Sequence, residues 1–147
     1  MSSLWDYFPQ HEGVLPKVLF FIGVAAVFNT IQSYTTLRMT SQVYLGPPTG
    51  PRPPGSPYPS PTTPLHSRTF GTWTALQGIV RMYAAYNIES AAVYQLCMWT
   101  NAIAVWHFYS EWLVFGSTRW NKGLAGPLVV SVTGLVWMWV VYGDYVQ

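Results

Sequence analysis

Between Thr69 and Phe115 the chain runs through two long apolar segments joined only by the polar turn Asn87-Ile88-Glu89. So short a connection forces two helices to lie antiparallel, side by side. Crossing a hydrocarbon core takes about 20 mainly apolar residues at 1.5 Å each. The chain offers four such runs, at about 18–36, 69–86, 90–115 and 127–142. The expected fold class is therefore an all-α membrane protein: a four-transmembrane-helix bundle forming one domain over residues 1–147. Composition agrees, since only 8% of the residues are charged against about 25% in an ordinary soluble domain. Eight Trp and ten Tyr suit the two interfacial belts of such a bundle.

The first run also has the look of a signal-peptide core, with Lys17 before it and Ala25-Ala26 inside it. The acidic, aromatic residues that precede it argue for a helix that stays. Pro127 suits the first turn of the fourth helix and Gly143 its end. Between the first two helices, Gly46 to Pro64 is so dense in proline that neither helix nor sheet can form. A disordered, polyproline-like spacer is expected there, and PxxP spacings such as Pro51 to Pro54 arise by chance in such a tract. The single cysteine, Cys97, makes no internal disulfide. A net charge of +2 from seven scattered basic residues leaves no nucleic-acid footprint.

Orientation follows from where those basic residues lie. Arg38, Arg52 and Arg68 fall in the first connection and Arg119 and Lys122 in the third, while the opposite side has only Lys17. The first and third connections should be cytoplasmic and both termini lumenal.

Helical arithmetic at 100° per residue gathers the polar groups on faces. Gly71, Thr74, Gln77, Gly78, Arg81, Ala84 and Ala85 share an arc of the second helix. Val93, Cys97, Thr100, Ala104, His107 and Glu111 form a stripe on the third, and Asn29, Gln32, Ser33 and Thr36 a polar stripe on the first. Small residues let membrane helices approach, and polar ones hydrogen-bond across. In an antiparallel hairpin Arg81 lies opposite Tyr94 and Gln95, only about 7.5 Å from the helix end at Tyr86. It is expected to snorkel toward Glu89 or the headgroups, and Glu111 to meet Arg68 or Arg119 at the other interface. His107 and Glu111, at i and i+4, also have the spacing of two metal ligands or of a base with its orienting carboxylate. His11 and His66 lie in loops and supply no third ligand, so no metal, cofactor or catalytic residue is assigned.

The run Arg68-Thr-Phe-Gly-Thr-Trp-Thr74, then Arg81 and the turn, then Leu96-Cys-Met-Trp-Thr100 and His107-Phe-Tyr-Ser-Glu111, resembles the ergosterol biosynthetic protein 28 family. Asn29-Thr-Ile-Gln-Ser-Tyr34 and Ala125-Gly-Pro-Leu128 resemble the same family. Together these motifs cover most of the chain; the long Pro-rich loop departs from the family's core pattern. The resemblance implies a small endoplasmic-reticulum membrane protein, multi-pass and without catalysis of its own. It implies a scaffold that tethers the sterol C-4 demethylation enzymes: the sterol C-4 methyl oxidase, the sterol 3-dehydrogenase/C-4 decarboxylase and the 3-ketosteroid reductase. For the fungal branch it adds sterol C-24 methyltransferase. Candidate helix-contact and partner-docking residues are Asn29, Gln32, Arg68, Trp73, Arg81, Trp99, Thr100, His107 and Glu111. A homodimer is a reasonable expectation for so small a bundle. The competing reading is a small integral-membrane sterol-modifying enzyme using His107 and Glu111 in proton transfer. A lipid or ion carrier would need a continuous polar path.

Overall fold

The computed structural model describes residues 4–146. After a short 3-10 turn at Leu4–Tyr7 come α1 (Leu15–Thr35), α2 (Arg38–Val43), α3 (Pro64–Tyr86), α4 (Ala91–Leu113), α5 (Lys122–Val140) and α6 (Tyr142–Tyr145); the described residues contain no strand. The four long helices have 21, 23, 23 and 19 residues, about 28–35 Å each at 1.5 Å per residue. Two of them, α1 and α5, are long and apolar enough to cross a membrane by composition. The sequence expectation was four such helices. α3 and α4 have the length but not the hydropathy, because Thr, Gln, Tyr and Trp side chains, with Arg81 and Glu111, dilute their apolar residues.

Capping sets where the helices begin. Thr63 Oγ1 accepts from the His66 amide at 3.1 Å, so Pro64 falls at the first position, where its missing N–H costs nothing. α3 thus starts five residues before Thr69. Asn121 Oδ1 accepts from the amides of Gly123 (2.7 Å) and Leu124 (3.3 Å), so α5 opens at Lys122. Pro127 therefore sits inside α5 rather than in its first turn, and α5 ends at Val140, before Gly143.

The chain goes up and down, and two packed pairs make the bundle: α1 on α3 and α4 on α5, joined by the α3–α4 hairpin. α1 meets α3 along small residues. A Cβ on Gly78 would lie 2.9 Å from Ala26 Cβ, one on Gly71 would lie 2.9 Å from Ser33 Cβ, and one on Gly23 would lie 3.1 Å from the Gly78 carbonyl. Such contacts bring backbones together where no hydrophobic drive operates. One apolar cluster, with Leu15, Leu19, Ala84, Ile88, Tyr94 and Met138, fills the end that carries the termini. A second, with Tyr44, Phe70, Phe108, Leu124 and Leu128, fills the end that carries the long connections.

The Pro-rich segment forms no helix or strand, as its composition demands, but it is not a free spacer. Its neck is closed: Gly46 N–H donates to Pro59 O at 2.9 Å and Ser60 N–H to Pro51 O at 2.8 Å. Ser60 Oγ also donates to the Tyr44 carbonyl at 2.6 Å, and Pro59, Ser60 and Thr62 are buried. Proline removes donors but leaves carbonyls, and the few non-proline amides use them. Beside it, α2 is pinned across the bundle by Thr40–Ser67 (2.9 Å) and by Thr118 Oγ1 donating to Val43 O at 2.6 Å.

Candidate functional site

The polar residues of the long helices converge on two places. The first is the middle of the bundle, on the arc of α3 that the sequence picks out. Of that arc Gly71, Gln77, Gly78, Arg81, Ala84 and Ala85 are buried and Thr74 is half-buried. Arg81 is only 6% exposed, and its Nη2 donates to Asn101 Oδ1 at 2.9 Å. This corrects the snorkelling expectation. Side chains on a helix lean toward its N-terminus, so Arg81 reaches away from the Asn87 turn and into the bundle, to the level of Asn101 rather than Gln95. Glu89, its expected partner, pairs with His11 instead, Nδ1 to Oε1 at 3.2 Å. One turn back, Gln77 Nε2 donates to the Thr100 carbonyl at 3.3 Å. Asn29 Nδ2 reaches Thr74 Oγ1 at 3.5 Å.

The second place is the loop end of α4. His107 Nε2 is hydrogen-bonded to the Tyr44 hydroxyl at 2.6 Å, and its ring is boxed by Trp73 (centroids 5.2 Å), Phe108 (5.2 Å) and Tyr44 (5.9 Å). The His66 ring lies tilted against Tyr44 with centroids 4.7 Å apart. Burial, and secondarily the charge of Glu111, pushes the Tyr44 hydroxyl well above its ordinary pKa. Glu111 does not pair with Arg68 or Arg119. Its carboxylate accepts from Ser117 Oγ, and its carbonyl accepts the Ser117 amide at 3.0 Å. The reason is local: the chain reverses at Gly116, whose φ of 62° suits glycine, and delivers Ser117 before either arginine can compete. His107 and Glu111 are thus held by different partners.

The remaining candidates scatter. Gln32 and Arg68 are exposed. Trp99 is 66% exposed and lines an outward trough of about 790 Å³ between α4 and α5, with Met98, Leu135 and Trp139. Thr100 Oγ1 folds back on the Cys97 carbonyl at 2.7 Å. Among the described residues no three of His, Cys, Asp and Glu come together as a metal site requires. Sequence reasoning missed Asn101 and Tyr44. Asn101 lies only 40° round the helix from Cys97 and, as an amide in an apolar run, carried its own signal. Tyr44 sits beyond any periodic segment and offered none.

Facing this polar middle, α1 and α5 stand apart and leave a cleft of about 490 Å³. Gln77 and Arg81 lie on its floor, and Trp73 and Phe108 line the wall toward the loop end.

An all-helical chain with two apolar helices of spanning length and a polar-floored cleft belongs with the small membrane-associated helical proteins. Residues 15–136 match the family described as Erg28 like protein, and the chain belongs to that family. It is similar to ergosterol biosynthetic protein 28 of Candida albicans, 44% identical over 135 residues, covering 92% of this chain and 90% of that protein. It is 41% identical over 129 residues to the Saccharomyces cerevisiae protein of the same name, covering 87% and 80%. To the Homo sapiens homolog it is 30% identical over 128 residues, covering 86% and 84%. The family is one of ergosterol biosynthesis. No solved structure matches the chain.

Proposed function

We propose that this chain is a non-catalytic scaffold of the endoplasmic reticulum membrane that tethers the sterol C-4 demethylation enzymes. In this reading all four long helices span the bilayer. The partners are the C-4 methyl oxidase, the 3-dehydrogenase/C-4 decarboxylase and the 3-ketosteroid reductase, with sterol C-24 methyltransferase a further one.

The observation that carries the reading is the fate of the pair that the sequence offers for proton chemistry. His107 is hydrogen-bonded to Tyr44 and Glu111 to Ser117, and neither lines the cleft between α1 and α5. What the bundle does offer is outward surface. Trp99, Trp106 and Trp139 are 66%, 75% and 75% exposed, and the trough between α4 and α5 is a place for a partner enzyme's helix or a second copy of the chain. Interfaces favour such large aromatic anchors.

Charge sorting supports the topology. The loop end carries Arg38, Arg52, Arg68, Arg119 and Lys122, while the turn and termini carry Asp6, Glu12, Glu89 and Asp144 with Lys17. By the positive-inside tendency the loop end faces the cytoplasm and the termini the lumen.

Affinity purification of the full chain in mild detergent, followed by mass spectrometry, tests the tether. C-4 demethylation enzymes should co-purify, and the Trp99→Ala/Trp139→Ala double variant should lose them while still folding. Turnover of a 4-methylsterol by the purified chain alone would sink the scaffold reading. A glycosylation acceptor placed at the C-terminus should be modified; absence of modification reverses the orientation.

A further inference from the structure

The cleft between α1 and α5 is built unlike the rest of the surface. Its walls are mainly apolar, with Ile22 and Ala25 on α1, Phe70 on α3, Phe108 on α4 and Val130 on α5, interrupted by Asn29, Thr74 and Ser131. Its floor holds a buried guanidinium. Arg81 uses Nη2 on Asn101, an uncharged partner, and has no carboxylate within ion-pair distance among the described residues. Glu89 is held by His11 and Glu111 by Ser117. Arginine has five N–H donors and stays charged in proteins. A lone cation at this depth is costly unless an anion joins it, and Arg81 itself borders the open space.

Size narrows what that anion belongs to. The cleft follows α3 from Phe70 to Arg81, about 16 Å at 1.5 Å per residue, with Lys122 at its loop-end rim. Its volume of about 490 Å³ falls in the range of small-molecule sites, about 300–1,000 Å³. One acyl chain or one ring system is of that size.

We propose that this cleft binds an elongated lipid-like molecule ending in a single carboxylate, with the carboxylate on Arg81 and the amide of Gln77 and the apolar body lying along α3 toward Lys122. The carboxylate supplies the counter-charge that the chain itself withholds. This site is separate from the outward α4–α5 trough; it rests on the bilayer-spanning part of the reading above and not on the tethering of enzymes.

The test compares acids with their methyl esters on the full chain in nanodiscs of neutral phosphatidylcholine, read by native mass spectrometry. One arm uses oleic acid and methyl oleate; the other uses a steroid carboxylic acid and its methyl ester. At least one acid should bind tenfold or more tighter than its ester, and the arm with the tighter acid identifies the body as chain or ring. Arg81→Gln should erase the acid preference and Arg81→Lys should keep part of it. Val130→Trp, which narrows the cleft from an already exposed position, should weaken acid and ester alike. Equal binding of acid and ester, binding of neither, or an acid preference that survives Arg81→Gln or is untouched by Val130→Trp overturns the proposal. If Arg81→Gln fails to fold, the acid–ester comparison on the unaltered chain and on Val130→Trp still decides.

Discussion

The two sides of α1 have opposite construction. Against α3 it presents Gly23, Ala26 and Ser33 to Gly78, Gly71 and Ser67, with backbones so close that no added Cβ fits. Toward α5 it presents Ile22, Ala25 and Asn29 across an open cleft. The close side shows how a membrane-type bundle holds together without a hydrophobic drive: small residues, dense contact and hydrogen bonds such as Ser67 Oγ to Ser33 O at 2.7 Å. The open side shows that contact is withheld where a buried cation faces outward. Neither side is more apolar than the other in any simple sense; what differs is side-chain volume.

Substitutions that attack the close side should have the largest effect. Gly78→Leu forces a side chain into Ala26 and the Gly23 carbonyl. Overpacking of this kind costs about 3 kcal/mol, and thermal unfolding in detergent should show a lowered Tm with α1 protease-sensitive. Next comes the floor between the two sides. Asn101→Ala strips Arg81 of its hydrogen bond and should cost about 2 kcal/mol. Arg81→Met, which removes the charge as well, should cost less, as buried ion sites often do when replaced by apolar volume. Urea or thermal titration of the pair checks the order, and an equal loss in both would show that the charge is not the burden argued here.

Smaller still is Tyr44→Phe at the loop end, about 1 kcal/mol for one neutral hydrogen bond. It carries a pH signature. Because burial raises the Tyr44 pKa in the folded state, its contribution is intact below the ordinary phenol value of 10.0. It is lost as pH climbs above that value, since the unfolded chain then releases a proton the folded one keeps. The wild type should therefore lose more stability than Tyr44→Phe between neutral and strongly alkaline pH, as measured by circular dichroism. Smallest of all is Val130→Trp on the open side, expected within about 0.5 kcal/mol. A large loss there would mean that the cleft is narrower than it stands here.

How far the sequence foretold this can be judged residue by residue. The arc on α3 was legible because glycine, alanine and polar residues at helical spacing have few other uses in an apolar run. On α4 the forecast stripe shares Cys97 and Ala104 with the buried face Tyr94, Cys97, Asn101, Ala104 and Phe108, but it was drawn through polar residues rather than through volume. On α1, of the forecast polar stripe only Ser33 is buried; the closest approach to α3 is made by small residues, with Asn29 reaching Thr74 beside them. Arg81 lies on the face that its spacing predicts but reaches toward Asn101 rather than the turn, since spacing gives a Cα position and says nothing of the lean of a long side chain. The neck of the Pro-rich segment was invisible: hydrogen bonds between residues 46 and 59 or 51 and 60 follow no period.

That neck makes the Pro-rich excursion a natural cloning port. Gly46 with Pro59 and Pro51 with Ser60 fix the geometry at which the chain leaves α2 and enters α3. Beyond them, added length costs only the slow logarithm of loop closure. An epitope or a small fluorescent domain inserted beside Gly55, where φ is 74° and no neighbour lies within 4 Å, would hang from the bundle as a pendant. It would report on where this end of the protein faces without loading either side of α1.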